Sequence, residues 1–189
     1  MGLGVSHAAL FGDEFAEPMK RMTGYLDALD ARGVGPERRC LAALGPKMLE
    51  LARNRSAGAP PFLGTPEHTA RAREVLGHGK LLAPEQGFIW ETDAAKARAF
   101  GREVLARYAA LPNYARNWRR IGFSEEDVST QSDRLVDEVL AWGDLDVIVD
   151  RVQAHRDAGA DHVCVQVLQP QGAPMPRSAW RELVSTLAG

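Results

Sequence analysis

Apolar runs of the kind that form buried strands alternate along this chain with segments of helical periodicity. The strand-like runs cover residues 2–6, 40–45, 60–65, 81–90 and 161–168. Helical spacing of apolar residues follows at 17–33, 47–55, 65–77, 94–111, 113–123, 132–142, 144–160 and 178–189. Strands that are apolar throughout, each followed by an amphipathic helix, indicate a parallel sheet covered by helices. The predicted class is therefore α/β.

Local start signals support several of these helices. Thr65 is a predicted N-cap, followed by Pro66 at the first helical position and Glu67 in the first turn. Thr92 or Asp93 is expected to cap the helix at 94–111, and Ser132 the helix at 132–142. The last internal helix is expected to bury one stripe, formed by Val147, Ile148, Val152 and His155.

Composition adds little beyond the class of protein. The chain has 189 residues, of which 45% are hydrophobic and 25% charged, with a formal net charge of −2. Without a linker-like stretch, residues 1–189 are expected to form one domain. The charge gives no general attraction for nucleic acid or anionic membranes, and no run reaches the roughly 18 apolar residues of a membrane span. We therefore expect a cytoplasmic protein.

Two cysteines lie inside apolar runs without any metal-binding spacing. Cys40 and Cys164 are predicted to be buried reduced thiols. His155 and His162 have no carboxylate or cysteine at ligand spacing, so no metal site is expected.

The turn at residues 45–47 is the best candidate for ligand chemistry, because ligands of parallel α/β sheets collect at the carboxyl ends of the strands. Gly45 permits close approach of the backbone, Pro46 starts the helix without wasting an amide, and Lys47 adds a positive charge. Together these features favour an anion or phosphate site. A plain strand-to-helix junction explains the same three residues equally well.

The sequence resembles the luciferase-like flavin and deazaflavin oxidoreductases. The segments that carry the resemblance are "GLGVSH", "AALGPKMLELA", "TPEHTARAREVLG", "LLAPEQ" and "AGADHVCVQVL", in this order. It is most similar to the branch that uses coenzyme F420. The resemblance implies a (β/α)8 TIM barrel with the cofactor at its carboxyl end, in which the five runs correspond to strands four to eight. The chain would then be an incomplete, truncated barrel that lacks the first three strands, unless the start site is misassigned.

The resemblance also implies candidate site residues. Glu85 and Gln86 would face the substrate, or else lie in solvent if Pro84 bends the strand. No catalytic residue can be carried over, because the early strands are missing. His68 is expected at the surface, and residues 114–120 are expected to form a helix that packs its aromatic side chains. The residues implied for cofactor binding are Gly4, Ser6, His7, Ala43, Gly45, Pro46, Lys47 and Thr65.

The implied function is hydride transfer between F420 and a small organic substrate. An FMN-dependent monooxygenase of the same family is the alternative, and a non-catalytic remnant that acts by association is another. An incomplete barrel leaves strand edges and an apolar sheet face uncovered, so we expect a homo-oligomer.

Overall fold

The structure is a computed structural model that describes residues 1–7, 12 and 17–187. Its strands are short and parallel. They are β1 (Gly2–Leu3), β2 (Cys40–Leu41), β3 (Gly58–Ala59), β4 (Leu81–Leu82), β5 (Glu85–Ile89), β6 (Ala141–Trp142) and β7 (Cys164–Val167).

The strands form two parallel sheets, of order β1-β2-β3-β4 and β6-β5-β7. Pro84 separates β4 from β5, but the ladder continues across it. The Glu85 amide donates to Pro61 O at 2.8 Å, and the Cys164 amide donates to Pro84 O at 2.9 Å. Four of the five predicted runs contain strands, the run at 60–65 directly follows β3, and these strands lie side by side in chain order. The predicted parallel α/β class is confirmed.

Nine α-helices occur in the part of the chain that the structure describes. They are α1 (Pro18–Asp30), α2 (Pro46–Arg55), α3 (Pro66–Leu76), α4 (Ala94–Ala109), α5 (Pro112–Arg120), α6 (Glu125–Thr130), α7 (Asp133–Val139), α8 (Leu145–Asp157) and α9 (Arg177–Leu187). Thr65, Asp93 and Ser132 cap α3, α4 and α7 through their side chains. Each predicted cap is confirmed, with Asp93 rather than Thr92 at α4. None of the described helices is long and apolar enough to cross a membrane.

Helices α1–α3 cover one face of the first sheet. Leu3, Leu41, Ala59 and Leu82 are buried there together with Met22, Leu26, Leu49, Ala52, Ala72 and Leu76. Residues of the other parity project to the opposite face, where Leu81 is 41% exposed and Ala42 is also exposed. Self-association through this face stays a prediction, and sedimentation velocity would measure it.

The segment between β5 and β6 forms a second core of its own. Helices α4–α7 bury Leu105, Trp118, Leu135 and Val136, and Leu63 from the loop after β3 packs among them. Trp118 also donates from Nε1 to Leu63 O at 3.2 Å. These contacts hold α5 beside the loops that follow the strands.

Several predicted boundaries are wrong for identifiable reasons. The run at 60–65 is a loop, and the strand lies at Gly58–Ala59, because Pro60 and Pro61 have no amide to continue a ladder. The helix predicted over 132–142 ends at Val139, since Leu140 is extended and leads into β6. A capping box at Ser124 and Asp127 begins α6, which the periodicity did not predict.

Three burial predictions also need correction. Val147 is 39% exposed, because it lies about 100° around the helix axis from Ile148. Cys164 is exposed and Cys40 is only partly buried. Both cysteines project to the face of their strand opposite to the buried side chains of Leu41 and Val167.

Candidate functional site

A cavity of about 570 Å³ lies at the carboxyl ends of β1, β2 and β3. Its walls bring together Ser6 and His7 after β1, residues 42–48 after β2, and Pro60 and Phe62 after β3. Helix α5 closes one side with Pro112, Asn113, Tyr114, Arg116 and Arg120. Six of the candidate residues from the sequence therefore share one cavity: Ser6, His7, Ala43, Gly45, Pro46 and Lys47.

The first turn of α2 opens into this cavity. Gly45 is its N-cap in an extended conformation and has no side chain that could cap the turn, and Pro46, its first residue, has no amide proton. Met48 and Leu49 donate to Gly45 O. Of the first-turn amides, that of Lys47 therefore has no acceptor within the described residues, and such an amide attracts an anion because the helix dipole is positive there.

Positive side chains surround this turn. Lys47, Arg116 and Arg120 line the cavity, and none of the three forms an ion pair within the described residues. The described wall contains no Asp or Glu. Among the described residues, these three positive charges in a concave site favour a negatively charged ligand, although the chain as a whole is slightly acidic.

Arg120 is held directly over the turn. A Cβ added to Gly45 would lie 3.8 Å from Arg120 Nη1 and 3.9 Å from Nη2. The guanidinium therefore lies close to the backbone of Gly45. Nη1 donates to Asn117 Oδ1 at 3.0 Å, which fixes the side chain. We call Gly45, Lys47 and Arg120 the anion corner.

Sequence reasoning missed the contribution of α5. Its aromatic packing was correctly predicted, since Trp118 is fully buried. The polar side chains of the same helix face the cavity, however, and Asn113, Arg116 and Arg120 recur at spacings of three and four residues. That helical polar stripe was the available signal.

His7 and Tyr114 meet across the cavity, with ring centroids 6.0 Å apart. Burial lowers the pKa of His7, so its neutral form is favoured at neutral pH. Burial, with smaller contributions from Tyr108 and Glu85, raises the pKa of Tyr114 to about 12. Tyr114 therefore presents an un-ionised hydroxyl to a ligand.

His68 is buried, not exposed as predicted. It is 3% exposed, and its Nε2 lies 2.9 Å from Leu44 O. The carbonyl can only accept, so Nε2 carries the proton. Gly64 makes room for the ring, since a Cβ there would lie 2.8 Å from Nδ1.

Two of the candidate cofactor residues lie outside the cavity wall. Thr65 is 4% exposed, and its hydroxyl accepts from the His68 amide at 3.2 Å. Gly4 is exposed beyond β1, where a Cβ would be 3.5 Å from the Cβ of Ala42.

The geometry of Thr65 gives a first prediction. Thr65→Ala should lower the free energy of unfolding by about 1 kcal/mol, because it removes the N-cap of α3. Ligand affinity at the cavity should change little. Urea denaturation measures the first quantity, and Thr65→Ser, which keeps the hydroxyl, is the matched control. A large affinity loss with unchanged stability would instead place Thr65 in contact with the ligand.

The two substrate candidates, Glu85 and Gln86, face opposite sides of β5. Gln86 is fully buried towards the helices, where its Oε1 lies 3.0 Å from His155 Nε2 and its Nε2 donates to Gly87 O and Val139 O. His155 Nδ1 in turn lies 2.8 Å from the Thr69 hydroxyl. Burial lowers the pKa of His155 to about 4, so this network is neutral. Gln86 is not part of the cavity wall.

Glu85 points to the opposite face, beside its cross-strand neighbour Cys164. Both carboxyl oxygens are buried without a hydrogen-bond partner within the described residues. Burial raises the pKa of Glu85 from 4.5 to about 7, and the backbone of Leu63 offsets part of this rise. Burial raises the pKa values of Tyr108, Tyr114 and Cys164, and the charge of Glu85 raises them further. Glu85 is thus electrostatically coupled to Tyr114 in the cavity wall.

No cluster of three or more His, Cys, Asp or Glu side chains suited to a metal ion occurs among residues 1–7, 12 and 17–187.

Comparison with known proteins shows the fold but not a family. No protein-family model and no curated protein sequence matches the chain. The solved structure of apo-MsnO8 is similar over 100% of this chain and 68% of its own, with 18% identity and a TM-score of 0.58. This likeness, at low identity, shows that the two proteins share a fold.

Two further solved structures overlap less well. One is an F420-dependent secondary alcohol dehydrogenase in complex with an F420-acetone adduct, with 14% identity over 68% of this chain and a TM-score of 0.49. The other is the coenzyme F420 dependent tetrahydromethanopterin reductase from Methanopyrus kandleri, with 19% identity over 77% of this chain and a TM-score of 0.49. This chain spans 42% and 48% of their respective lengths.

Proposed function

We propose that this chain is a luciferase-like oxidoreductase, or the carboxyl-terminal part of one, that binds coenzyme F420 in the cavity after β1–β3. The observation that carries the proposal is the anion corner: a helix N-terminus with a glycine N-cap lies beside Lys47 and Arg120, which form no ion pair with the described residues, at one end of the cavity. The sequence resemblance supports a phosphate-bearing deazaflavin as the anion.

The residues present fit such a cofactor. The volume of about 570 Å³ falls within the usual range for small-molecule sites of about 300–1,000 Å³. The side chains of Lys47 and Arg120 and the Lys47 backbone amide would hold the phosphate, while Ser6 and His7 would contact its neighbouring polar groups. A bound deazaflavin supplies a hydride donor or acceptor at its carbon 5.

Glu85 is the best candidate on the substrate side. A carboxyl whose pKa lies near 7 can hold or release a proton at neutral pH, which is what a general acid or base requires. An anionic substrate would be repelled by its ionised form, so we propose a small neutral substrate with a hydroxyl or carbonyl oxygen. Glu85 would exchange a proton with that oxygen. The face of β5 and β7 that carries Glu85 and Cys164 would position the substrate.

Titration of the purified chain with F420 and with FMN tests the proposal. Saturation at about 100 times the Kd should stabilise the fold by about 2.7 kcal/mol and raise the melting temperature by at least about 5 °C. Ligand fluorescence gives the affinity independently. Binding of FMN without binding of F420 would favour the monooxygenase alternative. If neither ligand binds at millimolar concentration, the enzyme proposal is wrong and the non-catalytic alternative is favoured.

A further inference from the structure

We propose that His68 is a positioning residue for the anion corner: its Nε2–H holds the Leu44 carbonyl and thereby fixes residues 45–47 in the conformation that receives a phosphate group. The inference deepens the proposed function, because the phosphate is taken to belong to the cofactor.

The hydrogen bond joins the starts of two helices. His68 lies in the first turn of α3, anchored by the Thr65 cap, and Leu44 directly precedes the N-cap of α2. The Nε2–O distance is 2.9 Å. No other donor within the described residues reaches Leu44 O. Among the described residues, His68 therefore ties the turn to α3 through a side-chain hydrogen bond.

His68 acts through Leu44 and not as a ligand. With the proton on Nε2, Nδ1 presents a lone pair, which would repel an anion. Nδ1 is buried and has no partner within the described part of the chain. Burial, followed by the charges of Arg120 and Arg71, lowers the pKa of His68 against the opposing effect of the Leu44 carbonyl. These surroundings favour the neutral, Nε2-protonated ring.

The next turn of α3 supports Arg120. Arg71, three residues after His68, donates from Nη1 to Arg120 O at 2.7 Å. Helix α3 therefore holds the backbone on both sides of the anion corner: Leu44 before the turn, and the end of α5 above it. A buried histidine that served only the core would not need this directional bond, because an apolar side chain of similar size would fill the same space.

Phosphate titration of the labelled protein tests the inference. The Lys47 backbone amide is followed by 15N NMR as inorganic phosphate is added. His68→Gln keeps an amide donor that can reach Leu44 O, whereas His68→Leu keeps volume without a donor. We expect phosphate affinity to fall at least about tenfold in His68→Leu and to stay within about threefold of wild type in His68→Gln.

A matched variant separates positioning from general destabilisation. Thr69→Val alters the next residue of α3, which contacts His155 and not Leu44. It should lose stability while keeping its phosphate affinity. Equal affinity losses in Thr69→Val and His68→Leu would overturn the inference, and so would an unchanged affinity in His68→Leu.

If His68→Leu does not fold, a measurement on the wild-type protein still tests the role of His68. The His68 Nε2–H resonance should shift along the same phosphate isotherm as the Lys47 amide. Absence of a shift at either proton would overturn the inference. If phosphate binds as expected but F420 and FMN do not, the proposed function fails and the role of His68 stands. If a cofactor binds equally well to all His68 variants, the proposed function stands and the proposed role of His68 is wrong.

Discussion

The double variant Lys47→Ala, Arg120→Ala should bind FMN at least about a hundredfold more weakly than the wild type, while riboflavin affinity stays within about threefold. Each side chain is expected to supply a charge-assisted hydrogen bond worth about 1.5–3 kcal/mol. Both residues flank the uncapped turn at Gly45. Riboflavin has the ring of FMN but no phosphate, so only FMN should lose these bonds. Quenching of flavin fluorescence gives both Kd values.

The control for this variant removes two positive charges elsewhere. Lys96→Ala with Arg107→Ala alters exposed residues of α4 and changes the net charge equally. It should leave the FMN affinity almost unchanged at physiological ionic strength, because exposed charges beyond about 8 Å are largely screened. Equal losses for FMN and riboflavin would show that the variant perturbs the cavity in general. If only F420 binds, its phosphate-free deazaflavin fragment replaces riboflavin.

Glu85→Gln should make the protein more stable than the wild type at pH 8.5 by about 3 kcal/mol, and should change its stability little at pH 4. The pKa of Glu85 is about 7 in the folded chain, against an ordinary value of 4.5. Between these values the native state binds more protons than the unfolded state, so stability is fully present below pH 4.5 and is lost as the pH rises through 7. Glutamine copies the protonated side chain and does not titrate.

Urea denaturation of both proteins from pH 4 to 8.5 measures this effect. Other titrating groups, such as His155, cancel when the two proteins are compared at each pH. Glu103→Gln, at an exposed position of α4, controls for the loss of one negative charge. A stability difference that does not depend on pH would show that Glu85 titrates normally and would remove the reason for assigning it to proton exchange.

The free energy of unfolding that the protein loses when Glu85 is ionised is informative about function. A buried carboxyl without a partner costs free energy whenever it is ionised, and a glutamine or an apolar residue would avoid that cost. Perturbed groups of this kind cluster at functional sites. The charge of Glu85 affects the pKa of Tyr114, which lines the cavity. The perturbed carboxyl of Glu85 is therefore electrostatically linked to the candidate ligand site.

Those parts of the fold that depend on local sequence could be predicted. The spacing of apolar residues and the capping residues are local features of the sequence. The parallel α/β class and the caps Thr65, Asp93 and Ser132 therefore follow from short stretches of sequence. The turn at Gly45 was recognisable for the same reason, since glycine, proline and lysine each have a conformational or electrostatic role there.

The rest of the site depends on contacts that are distant in the sequence. Arg120 reaches Gly45 across 75 positions of the chain, and no local pattern reveals which loop a helix will approach. His68 looked exposed because it lies in a first turn with polar neighbours, but the loop before α2 folds over it. Glu85 and Gln86 are adjacent in sequence, so their side chains point to opposite faces of β5. Which of the two faces the helices is visible only in the folded structure.

A crystal structure of the protein with F420 or FMN at saturating concentration would locate the phosphate. We expect electron density for the phosphate within hydrogen-bond distance of the Lys47 amine and the Arg120 guanidinium, at the first turn of α2. Density for the cofactor elsewhere on the protein, or a phosphate bound away from Gly45, would contradict this expectation.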